Sequence, residues 1–198
     1  MSVAVVRLGI GNTASVMFAL ERLGVRAVLT DDPERIAAAE RVILPGVGAA
    51  GFAMRRLDEI GMSAALRQFR RPLLGICLGQ QLLYDASEEG GACGLGLIAG
   101  IVAQLPASAA APSPHMGWSK LRDVRAHPLT AGLPPEAYVY FVHSYACPVG
   151  AETLASARYG CEFSAMVSHG NVHGCQFHPE RSGAAGSKIL ENFLALPC

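Results

Sequence analysis

Apolar positions in the first half of the chain fall into two alternating patterns. Residues 3–8, Val-Ala-Val-Val-Arg-Leu, form a nearly continuous apolar run of the kind a strand buried on both faces requires. Thr13 can cap a helix continuing to Leu23, with Val16, Ala19, Leu20 and Leu23 on one face and Gly24 closing it. The pattern then repeats. Residues 25–29 read as a strand, 33–40 as a short helix, and 41–44 as a strand ending at Pro45-Gly-Val-Gly48. Helical spacing returns over 52–69, interrupted at Gly61. Residues 72–76 read as a short buried strand, and 80–84 as the opening of another helix. This alternation predicts an α/β architecture, a parallel sheet with helices on both faces. In such sheets, sites lie at the C-terminal strand edge, where Gly9, the 45–48 turn and the Gly75–Gly79 turn all fall.

The second half is patterned differently. Residues 90–96 form a glycine-rich loop, 101–105 a strand, and 106–114 a Pro/Ala/Ser linker placed on the surface. From Tyr138 the runs are short, β-rich and punctuated: 138–143, 153–159, 164–169 and 172–177. The tight connection at Ser168-His-Gly-Asn171 predicts an antiparallel hairpin. Residues 186–196 close the chain as a helix. The whole is read as one domain, 1–198, a mixed and mostly parallel sheet with an antiparallel β extension.

Composition narrows the chemistry. Sixteen basic and sixteen acidic residues balance to zero with no run of either sign, arguing against a nucleic-acid surface or a polybasic membrane contact. No long apolar run suits a membrane span, and the N-terminus has no signal-peptide pattern. The six cysteines include no CxxC pair and match neither a zinc site nor a disulfide framework, which suits a reducing cytosol.

Cys77, held between Gly75 and Gly79 at a strand-to-helix turn, has the form of a nucleophile elbow carrying a thiol. A helix N-terminus behind the sulfur favours the thiolate. A small buried cysteine beside incidental glycines is the alternative. His178-Pro-Glu180 supplies a base and an orienter two residues apart, on the same side of an extended segment. Alternatively, Glu180 heads a helix in a capped turn. The N–H of Leu78 and the Pro45-Gly-Val-Gly48 turn are candidate donors to a tetrahedral oxyanion. His169 and His173 share an HxxxH spacing, but Gly170-Asn171 breaks the helix that would align them on a metal. His127, before Pro128, is expected as a surface turn residue, and Cys93 is a weaker rival nucleophile.

Taken together, Gly75-Ile-Cys-Leu-Gly79 with Gln81 and Leu82-Leu83, and Gln176-Phe-His-Pro-Glu180, resemble the class I (triad-type) glutamine amidotransferases. Pro114-His-Met-Gly-Trp118, Tyr140-Phe-Val-His-Ser-Tyr145 and Gly9-Ile-Gly-Asn12 narrow the likeness to the glutaminase subunits of imidazole glycerol phosphate synthase. The resemblance spans essentially the whole chain and implies a three-layer, flavodoxin-like fold without a metal or other cofactor. It implies Cys77, His178 and Glu180 as the triad, with Gln81 binding the substrate L-glutamine. It places the oxyanion hole at Gly46, Val47, Gly48 and Leu78. Ammonia would pass to a separate cyclase subunit, met by Asn12, Met116, Trp118, Tyr140 and Arg181. Arg181 stands where the family usually has Lys, Leu8 where Tyr is frequent, and Gln80 where Met is frequent. Low glutaminase activity in the isolated chain is a further implication.

Overall fold

The computed structural model describes residues 2–9 and 13–198. Asn12 therefore lies outside the described residues. The elements run β1 (Val3–Val6), α1 (Thr13–Arg22), β2 (Ala27–Thr30), α2 (Pro33–Ala38), β3 (Arg41–Gly46), α3 (Ala50–Glu59), α4 (Met62–Gln68), β4 (Leu73–Cys77) and α5 (Leu78–Leu82). The second half holds β5 (Tyr84–Ser87), β6 (Ala92–Cys93), β7 (Ile98–Gln104), β8 (His115–Lys120), β9 (Tyr138–His143) and β10 (Tyr145–Ala146). It ends with β11 (Thr153–Tyr159), β12 (Cys161–His169), β13 (Val172–Cys175) and α6 (Gly183–Ala195).

The main sheet has seven strands in the order β11-β12-β13-β4-β3-β1-β2. The five from β13 to β2 run parallel, and β12 and β11 extend them antiparallel. Alternate residues of a strand leave by opposite faces, so β1 sorts itself between two cores. Val3 and Val5 pack with α1 and α6, through Leu20, Ile189 and Phe193. Ala4 and Val6 pack with α2, α3 and α4, through Ile36, Leu57 and Leu66. The result is three layers. Both faces of the central strands are covered, which is why β1, β3 and β4 are buried at every residue.

The hairpin foreseen at 168–171 forms, with His169 paired to Val172 across Gly170 and Asn171. Two expectations need correction. Residues 80–84 do not open a long helix: α5 is a single turn and Tyr84 begins a strand. Backbone pairing from downstream takes over its carbonyls, since Leu95 N–H donates to Leu82 O at 2.7 Å and Leu97 N–H to Leu83 O at 2.8 Å. Close approach of the two segments needs Gly94, where a Cβ would lie 2.0 Å from Tyr84 O. His127, expected as a simple surface turn residue, is half-buried and caps the turn Pro128–Thr130, its Nδ1 accepting from Leu129 N–H at 3.1 Å.

Strand β8 has no strand-like sequence pattern; it exists through pairing with β9 in a separate two-stranded ribbon. Helix α6 starts three residues before the predicted 186 and packs its first turn on the 178–181 segment. A Cβ on Gly186 would come within 2.0 Å of Pro179 O, so glycine permits that contact.

Candidate active site

β4 and α5 meet at Cys77 with no connecting residue. Cys77 takes φ 55° and ψ −113°, a strained conformation for a residue with a side chain. Its surroundings compel it. A Cβ on Gly79 would sit 1.8 Å from Leu44 O, and one on Gly75 would sit 2.6 Å from the Gly79 carbonyl. Only glycine at both positions lets α5 fold back against β3 and β4. The strained turn lifts the sulfur toward the sheet edge, where Val142 O is 3.7 Å away and the Gln176 amide N–H donates to Sγ at 3.8 Å.

β13 lies beside β4 and delivers His178 to the same edge. His178 Nδ1 is 2.8 Å from Glu180 Oε1, and the two side chains are 12% and 3% exposed. Cys77 is the other group that acts on the imidazole. Burial works against a charge on the ring, but the interactions with Cys77 and Glu180 and their negative charges outweigh it. They raise the His178 pKa to about 10. The segment is held from behind: His178 N–H donates to Tyr140 O at 2.9 Å, and Ser182 Oγ donates to His178 O while accepting from Tyr140 N–H.

A pocket of about 220 Å³ opens over these groups. Of the residues singled out in the sequence, Cys77, Leu78, Gln81, Val47, Gly48 and His178 line it. Glu180 stands behind His178. Gly46 is buried within β3, its Cα opposite Cys77, where a Cβ would press on Gly79 N and the Leu78 side chain at 3.1 Å. The two amide N–H groups of Gln81 are both used, one toward Tyr145 O at 2.8 Å and one toward Gln176 Oε1 at 2.9 Å.

Sequence reasoning missed part of the wall: Glu89, Val142, His143, Ser144 and Tyr145 also line the pocket. The last four belong to the quoted Tyr140–Tyr145 motif, in which only Tyr140 was given a role. Glu89 carries no local signal. Its carboxylate accepts from Ala50 N–H at 2.7 Å, capping α3, which lacks a side-chain cap of its own.

Met116 and Trp118 project from β8 and are 62% and 55% exposed. Trp118 meets Tyr140 edge-on at 5.9 Å, and the Arg181 guanidinium lies 5.3 Å from the Tyr140 ring. The structure thus gathers four of the five surface residues named from the sequence beside the pocket's supporting segment. His169 and His173 serve separate contacts, His169 with Glu152 at 3.7 Å and His173 with Ser168 at 2.9 Å. Among the described residues no group of three or more His, Cys, Asp or Glu could hold a metal ion.

The fold and this site define a class of protein, and comparison with known proteins agrees on it. The family model for glutamine amidotransferase class-I matches residues 5–196. A crystal structure of a glutamine amidotransferase superposes with a TM-score of 0.75 at 22% identity, covering 97% of this chain and 96% of that one, a likeness of fold. Nearer in sequence is the imidazole glycerol phosphate synthase subunit HisH of Xanthomonas oryzae pv. oryzae, 50% identical over 194 residues, which cover 98% of this chain and 97% of the relative. The subunit HisH of Vibrio cholerae is 46% identical over 202 residues, with 98% of both chains covered. The chain belongs to the HisH family of class I glutamine amidotransferases.

Proposed function

We propose that the chain hydrolyses L-glutamine to glutamate and ammonia and hands the ammonia to the cyclase subunit of imidazole glycerol phosphate synthase. The observation that carries this reading is the Cys77–His178–Glu180 constellation, with Nδ1 to Oε1 at 2.8 Å and Sγ at the mouth of a pocket lined by Gln81. Cys77 Sγ attacks the side-chain amide carbon of glutamine, and the amide oxygen becomes a tetrahedral oxyanion. The raised pKa of His178 keeps its proton available for the departing nitrogen, which leaves as ammonia and yields a γ-glutamyl thioester. His178, now neutral, takes a proton from water, which attacks the thioester and releases glutamate. Glu180 orients the ring and stabilises its charged form.

Leu78 N–H, with the turn formed by Gly46, Val47 and Gly48, is the donor set for the oxyanion. Gln81, its N–H groups held by the protein, presents its oxygen to the substrate's polar end. Glu89, on the pocket wall, is the partner we assign to the α-ammonium group. Met116, Trp118, Tyr140 and Arg181 form the surface for the cyclase, an aromatic cluster with an arginine of the kind that concentrates binding energy. In the cyclase, ammonia reacts with a phosphorylated ribulosyl carboxamide nucleotide to give imidazole glycerol phosphate and an aminoimidazole carboxamide nucleotide. The reaction places the chain in histidine biosynthesis and in the cytoplasm.

The test is glutamine hydrolysis by the purified chain, alone and with cyclase holding its ligand. The isolated chain is expected to turn over slowly, because the glycine-rich 45–48 turn can leave its donors misaligned, and the liganded cyclase is expected to raise the rate. Cys77→Ala should abolish the stimulated activity and Cys93→Ala should retain it. Fast turnover by the chain alone, unchanged by liganded cyclase, would sink the coupling. No hydrolysis under either condition would sink the activity.

A further inference from the structure

Two histidines beside the pocket have no part in the thioester chemistry, yet they are joined in a line of hydrogen bonds that ends on it. His115 of β8 and His143 of β9 are directly opposed across the ribbon, and both are buried. His143 Nδ1 is 2.8 Å from Tyr145 O, His143 Nε2 is 3.0 Å from His115 Nδ1, and His115 Nε2 is 2.9 Å from Ser119 Oγ.

The proton positions follow from one end. A carbonyl oxygen only accepts, so His143 carries its hydrogen on Nδ1. Its Nε2 is then an acceptor, which places the hydrogen of His115 on Nδ1 as well. His115 Nε2 is left as an acceptor for the Ser119 hydroxyl. A second proton on His143 would set its Nε2–H against the Nδ1–H of His115, two donors face to face. Burial opposes a second proton on either ring, holding His115 at about 4 and His143 at about 3. His115 is clamped between Tyr159 at 4.1 Å and Phe141 at 4.9 Å, both stacked on it, so its ring cannot turn freely.

The line continues into the site. Tyr145 O, which receives the His143 proton, also accepts from Gln81 Nε2; Gln81 donates to Gln176, and Gln176 to Cys77 Sγ. We propose that His115 is a positioning residue for glutamine hydrolysis: acting through His143, it aims the Tyr145 carbonyl and thereby orients Gln81 at the substrate. This rests on the glutaminase reading above. Neither histidine exchanges a proton in the reaction; the pair works as a fixed strut. The strut starts on the strand whose other face carries Met116 and Trp118, so the glutamine pocket and the partner-facing aromatics share one ribbon.

The test compares wild type, His115→Phe, His115→Asn and Ser119→Ala in the full chain combined with ligand-bound cyclase. Phenylalanine keeps the stacking and removes the donor to His143. Asparagine restores an amide N–H near Nδ1. Loss of orientation at Gln81 weakens substrate binding and leaves the triad untouched, so KM for glutamine should rise about tenfold in His115→Phe with kcat within about threefold. His115→Asn should recover most of that rise, and Ser119→Ala should change KM by about twofold or less. Alkylation of Cys77 by a glutamine-like electrophile counts the competent sites. A purely structural role lowers that count and kcat together and leaves KM unchanged. KM at the wild-type value in both His115 variants overturns the proposal. If His115→Phe is insoluble, His115→Leu, which likewise lacks the donor to His143, takes its place: a KM at least threefold above wild type supports the proposal and a wild-type value overturns it. Failure of the glutaminase reading is seen separately, as a wild-type complex that hydrolyses no glutamine.

Discussion

Cys77 keeps its conformation because two glycines leave room for it, and this makes those glycines the most sensitive residues of the site. At Gly79 a methyl group would overlap Leu44 O at 1.8 Å, backbone against backbone, with no flexible neighbour to yield. Gly79→Ala is therefore expected to cost roughly 3 kcal/mol or more, or to block folding, read by urea denaturation and by loss of Cys77 alkylation. The orienting carboxylate gives a different signature. In Glu180→Gln the amide can still hold the ring, but it cannot stabilise the imidazolium as a charge does. A fall in kcat on the order of 10²- to 10⁴-fold with little change in KM is expected in steady-state assays with liganded cyclase. The proposed triad is legible in the sequence because its members lie in two short motifs whose local geometry is nearly forced. Glu89 and His143 are not, because each reaches the pocket through pairing partners far along the chain.

At the level of elements, the site depends on how β4 and β13 are brought side by side. The connection before β13 does this directly. Asn171, in the two-residue turn after β12, donates to Phe69 O at 3.2 Å and to Arg71 O at 2.9 Å, tying the start of β13 to the start of β4. Removing both bonds in Asn171→Ala should lower stability by about 1–2 kcal/mol in a denaturant titration, with KM for glutamine unchanged. The parallel strands were legible because a strand covered on both faces must be apolar throughout, as 3–6 and 73–77 are. β8 and the short α5 were not. The pattern of β8, His-Met-Gly-Trp-Ser-Lys, has one face in the core and one carrying an aromatic surface, so it shows no run of apolar residues. α5 ends where it does because the 94–97 backbone claims its last carbonyls.

For the whole molecule, proton linkage sets a testable pH dependence. Burial lowers His115, His143 and His173 to about 4, 3 and 4, against about 6.5 for an unfolded histidine. The unfolded chain then binds more protons below that value, so stability is fully present above about pH 6.5 and is lost as pH falls from there toward 3. His178 has the opposite sign: its contribution is present below about 6.5 and fades as pH rises through about 10. Denaturant midpoints measured from pH 4 to 10 should pass through a maximum near neutrality. Replacing His173 with Phe should flatten the acid limb, whereas an unchanged acid limb would remove His173 from the account. The proposed association with a cyclase also belongs to the whole surface. Trp118→Ala should weaken it by about 2 kcal/mol, roughly thirtyfold in Kd by titration calorimetry, because a packed aromatic anchor is lost.

The chain order alone determined the alternating α/β architecture, the elbow at Cys77 and the His178–Glu180 pair. Each is a short-range consequence of side-chain size, periodicity and backbone freedom. What faces Cys77 across the pocket, which way the buried imidazoles carry their protons, and how the Met116–Trp118 strand connects to the Cys77 pocket were decided only by tertiary structure. Those relations join residues from about 30 to 100 positions apart, and sheet order and register, which no local pattern specifies, bring them within hydrogen-bond reach.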